Sequence, residues 1–160
     1  KLNSERDINF SISVKNKKIY VLKISNPSEN LNILQYQDRL IKHLRKNSKL
    51  KKYIPHIYHA KIIKYLDKKN RKCFVRILSF IDGNMYGDTR SNTKIEKSLG
   101  ALLGQTSLQL KTYIDPIGLR KFVWDPSNIN WIKKEINIFK GIKKSILLNV
   151  YYEYEKYVNK

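Results

Sequence analysis

An α+β fold, with strands first and helices afterwards, is what this 160-residue sequence predicts. Runs of strand length, alternating or wholly apolar, fill the first half of the chain. Asp82-Gly83-Asn84 then interrupts the pattern. From Thr93 onward apolar residues recur at helical spacing. Strand-rich and helix-rich stretches that do not alternate argue for an α+β plan with its changeover near Asp82.

The first strand is expected over residues 9–14, where Phe10, Ile12 and Val14 alternate with Ser11 and Ser13, and a polar turn at residues 15–18 leads to a second strand over residues 20–25. That second strand carries Lys23 in its interior. A strand fixes the position of a side chain, so this ammonium can be aimed at a phosphate, although lysine is also an ordinary edge-strand residue. A helix follows, with Ser28 as expected N-cap, Glu29 in its first turn, and an apolar stripe of Ile33, Leu34, Leu40, Ile41 and Leu44. Gln37 falls on the same stripe. An amide there needs a partner, because burying it unpaired costs about 1–3 kcal/mol.

Pro55 closes this unit. Two further strands are expected over residues 58–65 and 73–80, separated by the turn-rich stretch 67–72; the later one is apolar on both faces, as a central strand is. Thr93 and Glu96 have the spacing of a capping box, opening a helix with Ile95, Leu99, Leu102, Leu103, Thr106 and Leu110 along one side. Gly100 and Gly104, four apart, permit a close helix contact. Asp115-Pro116-Ile117-Gly118 ends that unit, the segment Phe122 to Pro126 follows, a short helix is expected near residues 130–139, and a last helix from Ile142 carries Ile146, Leu147, Val150, Tyr154 and Val158.

Composition narrows the class. Hydrophobic residues make up 41% and aromatics 11%, which is globular rather than disordered. No apolar run approaches the roughly 20 residues that cross a bilayer, so no membrane partner is expected. The net charge is +20. The lysines are scattered over turns and helix faces, however, and lysine outnumbers arginine, the residue of bidentate phosphate and base recognition. Specific nucleic-acid binding is therefore not expected, although a basic module for RNA or anionic partners is the rival reading. Cys73 is the only cysteine, so there is no internal disulfide; as a small core residue it suits a cytoplasmic location. His43, His56 and His59 have no companion set for a metal. The chain starts at Lys1 with no leader pattern, which is read as a fragment.

Several ordered stretches resemble one family. They are residues 3–10, residues 20–27 around Lys23, Leu34 to Leu44, residues 75–83, residues 98–104 and residues 120–125. Together they resemble the aminoglycoside-phosphotransferase-like kinases, closest to hydroxylysine kinase and the phosphotransferase domains fused to class III aminotransferases. The resemblance implies a protein-kinase-like N-lobe over residues 1–82, and over residues 83–160 the beginning of a helical C-lobe, truncated before the catalytic loop. Lys23 would bind the phosphates of ATP or GTP, and Val21 would pack on the adenine. Gln37 would stand where a glutamate usually orients the strand lysine. Ser79, Phe80 and Ile81 would be the hinge, and the loop from Ser4 to Asn9 would cover the phosphates, although glycine is the family's usual residue at Ser4. The His-Gly-Asp loop that carries the catalytic carboxylate and the magnesium ligands is absent. The parent would be an ATP-dependent, Mg2+-requiring kinase for a small amine- or sugar-type acceptor such as hydroxylysine, this fragment alone would be inactive, and the missing C-lobe would be its natural partner. A kinase-derived pseudoenzyme is the remaining alternative.

Overall fold

The computed structural model describes residues 1–58, 61–119, 125 and 127–158. The fold is α+β, with a four-stranded antiparallel sheet and four α-helices among the described residues. The strands are β1 (Ile8–Val14), β2 (Lys17–Ile24), β3 (Ile63–Leu66) and β4 (Lys72–Ser79), in the spatial order β1-β2-β4-β3. The helices are α1 (Leu31–Leu44), α2 (Thr93–Leu110), α3 (Ile132–Glu135) and α4 (Gly141–Val158). Two compact units divide the chain, Lys1–Gly118 and Leu119–Lys160. No helix among the described residues is long and apolar enough to cross a membrane.

Turn chemistry explains the two hairpins. Lys15 and Asn16 both have positive φ, +48° and +63°, which is the twist that a two-residue hairpin needs between right-twisted strands. Between β3 and β4 the Asp67 carboxylate accepts from the backbone N–H groups of Lys69 and Arg71 and pairs with the Arg71 guanidinium, while Asn70 takes a positive φ of +58°. The strand expected over residues 58–65 is shorter than its apolar content implied. Ile57 makes only an isolated bridge to Leu78, and regular pairing begins at Ile63.

Helix α1 corrects the expected N-terminus. Its N-cap is Asn30, whose Oδ1 accepts from Asn32 N at 2.8 Å, and no acidic residue lies in its first turn. Ser28 and Glu29 precede the helix. The Asn26 side chain accepts from both the N–H and the hydroxyl of Ser28, closing a turn that takes Ser28 out of competition for the cap. The expected capping box at Thr93 moves by one residue as well. Asn92 caps α2 by accepting from Lys94 N and Ile95 N, and Glu96 accepts from the Ser91 hydroxyl instead. An asparagine already in place satisfies the orphan N–H groups that Thr93 was expected to serve.

Apart from Cys73, which is buried on the opposite face of β4, the core of the first unit lies between the sheet and α1, where Leu34, Leu44, Leu50, Phe74 and Leu78 are buried. A buried charge cluster sits in the same layer. Arg76, 7% exposed, donates from Nη1 to Asp38 Oδ1 and from Nη2 to Gln37 Oε1, both at 2.8 Å, and reaches the Leu34 carbonyl at 3.3 Å. This guanidinium ties the central strand β4 to the middle of α1.

The end of α2 meets α1 through polar contacts. His43 Nε2 lies 2.8 Å from the Gln109 carbonyl, and Arg39 pairs with Asp115 at 2.7 Å. Burial pushes the Asp115 carboxyl up, but the Arg39 guanidinium and the Ile117 N–H outweigh it and hold the group below the usual carboxylate range. The rest of α2 does not form the close helix contact expected at Gly100 and Gly104. Nothing lies within 4 Å of a Cβ at either position, and Leu103 and Leu108 are exposed.

In the second unit the helix expected over residues 130–139 is one α-turn, α3, continued by a 3-10 turn at Ile136–Ile138. Its small core is Ile136 with Tyr151 of α4; Ile142, Ile146 and Val150, part of the expected α4 stripe, are exposed. The Tyr151 hydroxyl donates to Glu155 at 2.6 Å, which together with burial pushes its pKa up to about 12. Tyr152 is exposed, so the tyrosines of α4 do not share one buried face.

The Arg76 cluster sets a test of the fold. Asp38→Ala leaves a buried guanidinium without its counter-charge, and the expected loss is about 3–5 kcal/mol, read from urea unfolding. Asp38→Leu combined with Arg76→Met removes both charges, and most of that loss is expected to be recovered.

Candidate functional site

Residues directly opposite each other on paired strands lie on the same face of a sheet. Asn9, Lys23 and Arg76 form one such row, and Ser11, Val21 and Leu78 the next. Arg76 contacts α1, so both rows belong to the helix-bearing face. Asn9, Val21 and Lys23 thus share one face of the sheet. Val21 lies two residues before Lys23 on the same strand face.

Lys23 is neither buried nor free. Its amine stands 3.9 Å from Asp7 Oδ2, and 28% of the side chain is exposed. Asp7 Oδ1 accepts from Asn26 N at 3.1 Å, so the segment from Ser4 to Asn9 is tied to the residues that follow β2. Leu2 N donates to the Asn9 carbonyl at 2.8 Å and holds the same segment from its other end. A partly exposed pair at such a distance stabilises by only about 0–1 kcal/mol.

The expected contact between Gln37 and Lys23 is not made. Gln37 Oε1 accepts from Arg76 Nη2 instead. The strand register gives the reason: β4 lies between β2 and β3 and carries Arg76 beside Lys23, and it is Arg76 that projects into the middle of α1. The polar residue on the apolar stripe is explained by a partner the sequence reading did not name.

The expected hinge is partly committed elsewhere. Ser79 N donates to the His56 carbonyl and Phe80 N to the Ile19 carbonyl, each at 2.8 Å, while the Ser79 hydroxyl accepts from His56 N. Pairing with the incoming segment at His56 and with Ile19 consumes those two N–H groups. Ile81 is exposed. The Phe80 ring lies under Lys18, whose Nζ is 5.4 Å from the ring centroid.

A cavity of about 640 Å³ borders this hinge, lined among others by Arg45, Lys52, His56, Tyr58, Phe80 and Asp82. Arg45 is held there by donating to the carbonyls of Lys51 and Ile54. Lys23 and Val21 do not line it, so the expected site residues are not gathered into one enclosed pocket among the described residues. His59 and the segment 120–124 lie outside the described residues. Asp125 is described, and its carboxylate is held below the usual range by hydrogen bonds from the Ser127 hydroxyl and N–H.

Two residues of this site escaped the sequence reading. Arg76 had a visible signal, a lone arginine within an apolar strand. Asp7 had none, because only the fold brings it opposite Lys23. Among the described residues no group of three or more His, Cys, Asp or Glu side chains could hold a metal ion. Comparison with family models, curated proteins and solved structures finds no match to this chain.

Because Gln37 serves Arg76, Gln37→Leu is expected to lower stability by about 1–2 kcal/mol and to leave Lys23 undisturbed. Urea unfolding measures the first effect, and NMR of the reductively methylated Lys23 amine measures the second.

Proposed function

We propose that this chain is the nucleotide-binding part of an ATP-dependent phosphotransferase that acts on a hydroxyl of a small molecule, an amino alcohol of the hydroxylysine kind or a sugar. One observation carries the reading. Lys23 is fixed within β2 on the helix-bearing face, and its amine is held only by a weak contact with Asp7. Such a cation can exchange a carboxylate for the phosphates of ATP or GTP with little loss of stability.

The surroundings support the same reading. On β1 the residues that share this face are Asn9, Ser11 and Ser13, while the apolar residues of the strand point the other way. Small polar side chains on the face that also bears the helix suit a surface left open for a polar ligand. Asn9 Oδ1 is buried with no hydrogen-bond partner among the described residues. An orphan acceptor costs about 1–3 kcal/mol, and a ribose hydroxyl or a water in the cleft would relieve it. The chain order of β1, the lysine strand β2, a helix and two returning strands, with the last beside the lysine strand, supports the nucleotide lobe that the sequence resemblance implies.

The roles follow from chemistry. Lys23 draws charge from the phosphates by position rather than by covalent chemistry. Arg76 with Asp38 keeps α1 on the sheet and thereby keeps the face rigid. Val21 offers an apolar floor for a base. Ile81 is the hinge residue whose N–H no other described residue uses. The general base and the magnesium ligands of the reaction are assigned to none of the residues discussed above.

The test is titration of the chain with N-methylanthraniloyl-ATP followed by fluorescence anisotropy. Lys23→Ala is expected to weaken binding about tenfold, near 1.4 kcal/mol, with an unchanged urea midpoint. Asp7→Asn keeps the acceptor for Asn26 N but removes the competing charge, and is expected to tighten binding about two- to fivefold. Equal affinity in all three proteins removes Lys23 from the site.

A further inference from the structure

The sheet has a second face, and it is apolar from edge to edge. Ile8, Ile24, Val75 and Ile63 form one row across all four strands. Phe10, Leu22 and Ile77 form the next. Helix α1 lies on the opposite face, against Arg76 and Asp38. A strand that is apolar on both sides is one that is covered on both sides, and a sheet is stable when each apolar face meets another layer. Here Tyr58 covers only one end, its ring packed edge-on to Tyr20 at 4.7 Å. Ile8, Phe10, Ile63 and Tyr65 are exposed. A continuous apolar patch of this kind marks an interaction surface.

The end of the patch at Ile8, Ile24 and Tyr65 is concave and has a charged rim. A groove of about 650 Å³ is floored by Ile8, Phe10, Ile24 and Tyr65 and walled by residues 26–28 on one side and the β3–β4 turn on the other. Arg6, Lys68, Lys69 and Arg71 line its rim, against one carboxylate, Asp67. That carboxylate is already saturated by Arg71 and by two backbone N–H groups. Arg6 donates to the Ser28 hydroxyl, and neither Lys68 nor Lys69 has a carboxylate partner among the described residues. Of the four rim cations only Arg71 has a counter-charge, Asp67; Arg6, Lys68 and Lys69 have none among the described residues.

We propose that this groove docks an acidic amphipathic helix of a partner protein, its apolar stripe on the sheet and its carboxylates against the rim. Size fits: four strands span roughly 14 Å between the outer strand axes and about 20–25 Å along their length, the footprint of about four helical turns. Charge excludes the nearer alternatives. A second copy of a chain with net charge +20 brings the same cations to the same rim. Helix α4, with Lys143, Lys144 and Lys156 against Glu153 and Glu155, has no acidic excess to offer. A bilayer calls for a protruding apolar surface, whereas this one is recessed. The inference is independent of the nucleotide site, which lies on the other face.

The experiment uses a fluorescein-labelled synthetic 16-residue probe, leucines at helical spacing and glutamates elsewhere, with anisotropy read at about 150 mM salt to screen distant charges. Lys68→Glu with Lys69→Glu is expected to weaken binding at least tenfold, and Tyr65→Gln likewise. Lys143→Glu with Lys144→Glu is expected to change it less than twofold. A probe of the same composition in scrambled order, and one with lysine in place of glutamate, are expected to bind at least tenfold more weakly. The rim lysines sit on an exposed turn, so their reversal remains informative even if Tyr65→Gln fails to fold. No binding of the acidic probe, or equal losses from the two lysine reversals, overturns the proposal. So does retention on phosphatidylglycerol vesicles that Tyr65→Gln abolishes while the probe does not bind. A dimer seen by sedimentation and dissolved by Tyr65→Gln also overturns it, in favour of a second copy.

Discussion

A single buried guanidinium sets the geometry of the first unit. Arg76 leaves the central strand and divides its donors among Asp38, Gln37 and the Leu34 carbonyl, all on α1. Burying such a cation is tolerable only because a carboxylate and two neutral oxygens meet it. The helix cannot rotate or slide by a residue without stranding that charge, so its register on the sheet is held by polar contacts as much as by Leu34 and Leu44.

The consequence reaches the neighbouring strand. Lys23 and Arg76 are cross-strand partners, about 5 Å apart at the backbone, and both project toward the helix side. Arg76 takes the helix acceptors, and Lys23 turns to Asp7 in the segment before β1. One cation is thereby structural and immobile, the other weakly held and available. This division of labour is the physical basis for assigning a ligand to Lys23 rather than to the more deeply placed Arg76. The two faces of the sheet are divided as well, the helix-bearing face with its polar row of Asn9, Lys23 and Arg76, and the opposite face with its apolar rows from Ile8 to Ile63 and from Phe10 to Ile77.

Much of the fold was legible from periodicity. Alternation placed β1 and β2, the apolar run placed β4, and helical spacing placed α1, α2 and α4 close to their observed limits. Two of the errors fell where similar residues compete for one local role. Ser28 and Asn30 both suit an N-cap, and the turn around Asn26 decides between them; Thr93 and Asn92 compete in the same way. The site was less legible. Lys23 stood out because a lysine inside an apolar strand is unusual, and Gln37 because an amide on an apolar stripe needs a partner. Which partner it has depends on the spatial order of strands and on register, and neither is written in a local pattern. The hydrogen bonding of the hinge N–H groups at Ser79 and Phe80 was hidden for the same reason, since it depends on residues distant in sequence, His56 and Ile19.

The account stands on Lys23 being the amine that meets the phosphates of a bound nucleotide. The most direct measurement is labelling with an acyl-phosphate derivative of ATP, which acylates a lysine beside the phosphates, followed by mass-spectrometric mapping. The account predicts dominant modification of Lys23 that excess ATP suppresses. Modification spread over the many surface lysines, with no protection of Lys23 by ATP, contradicts it.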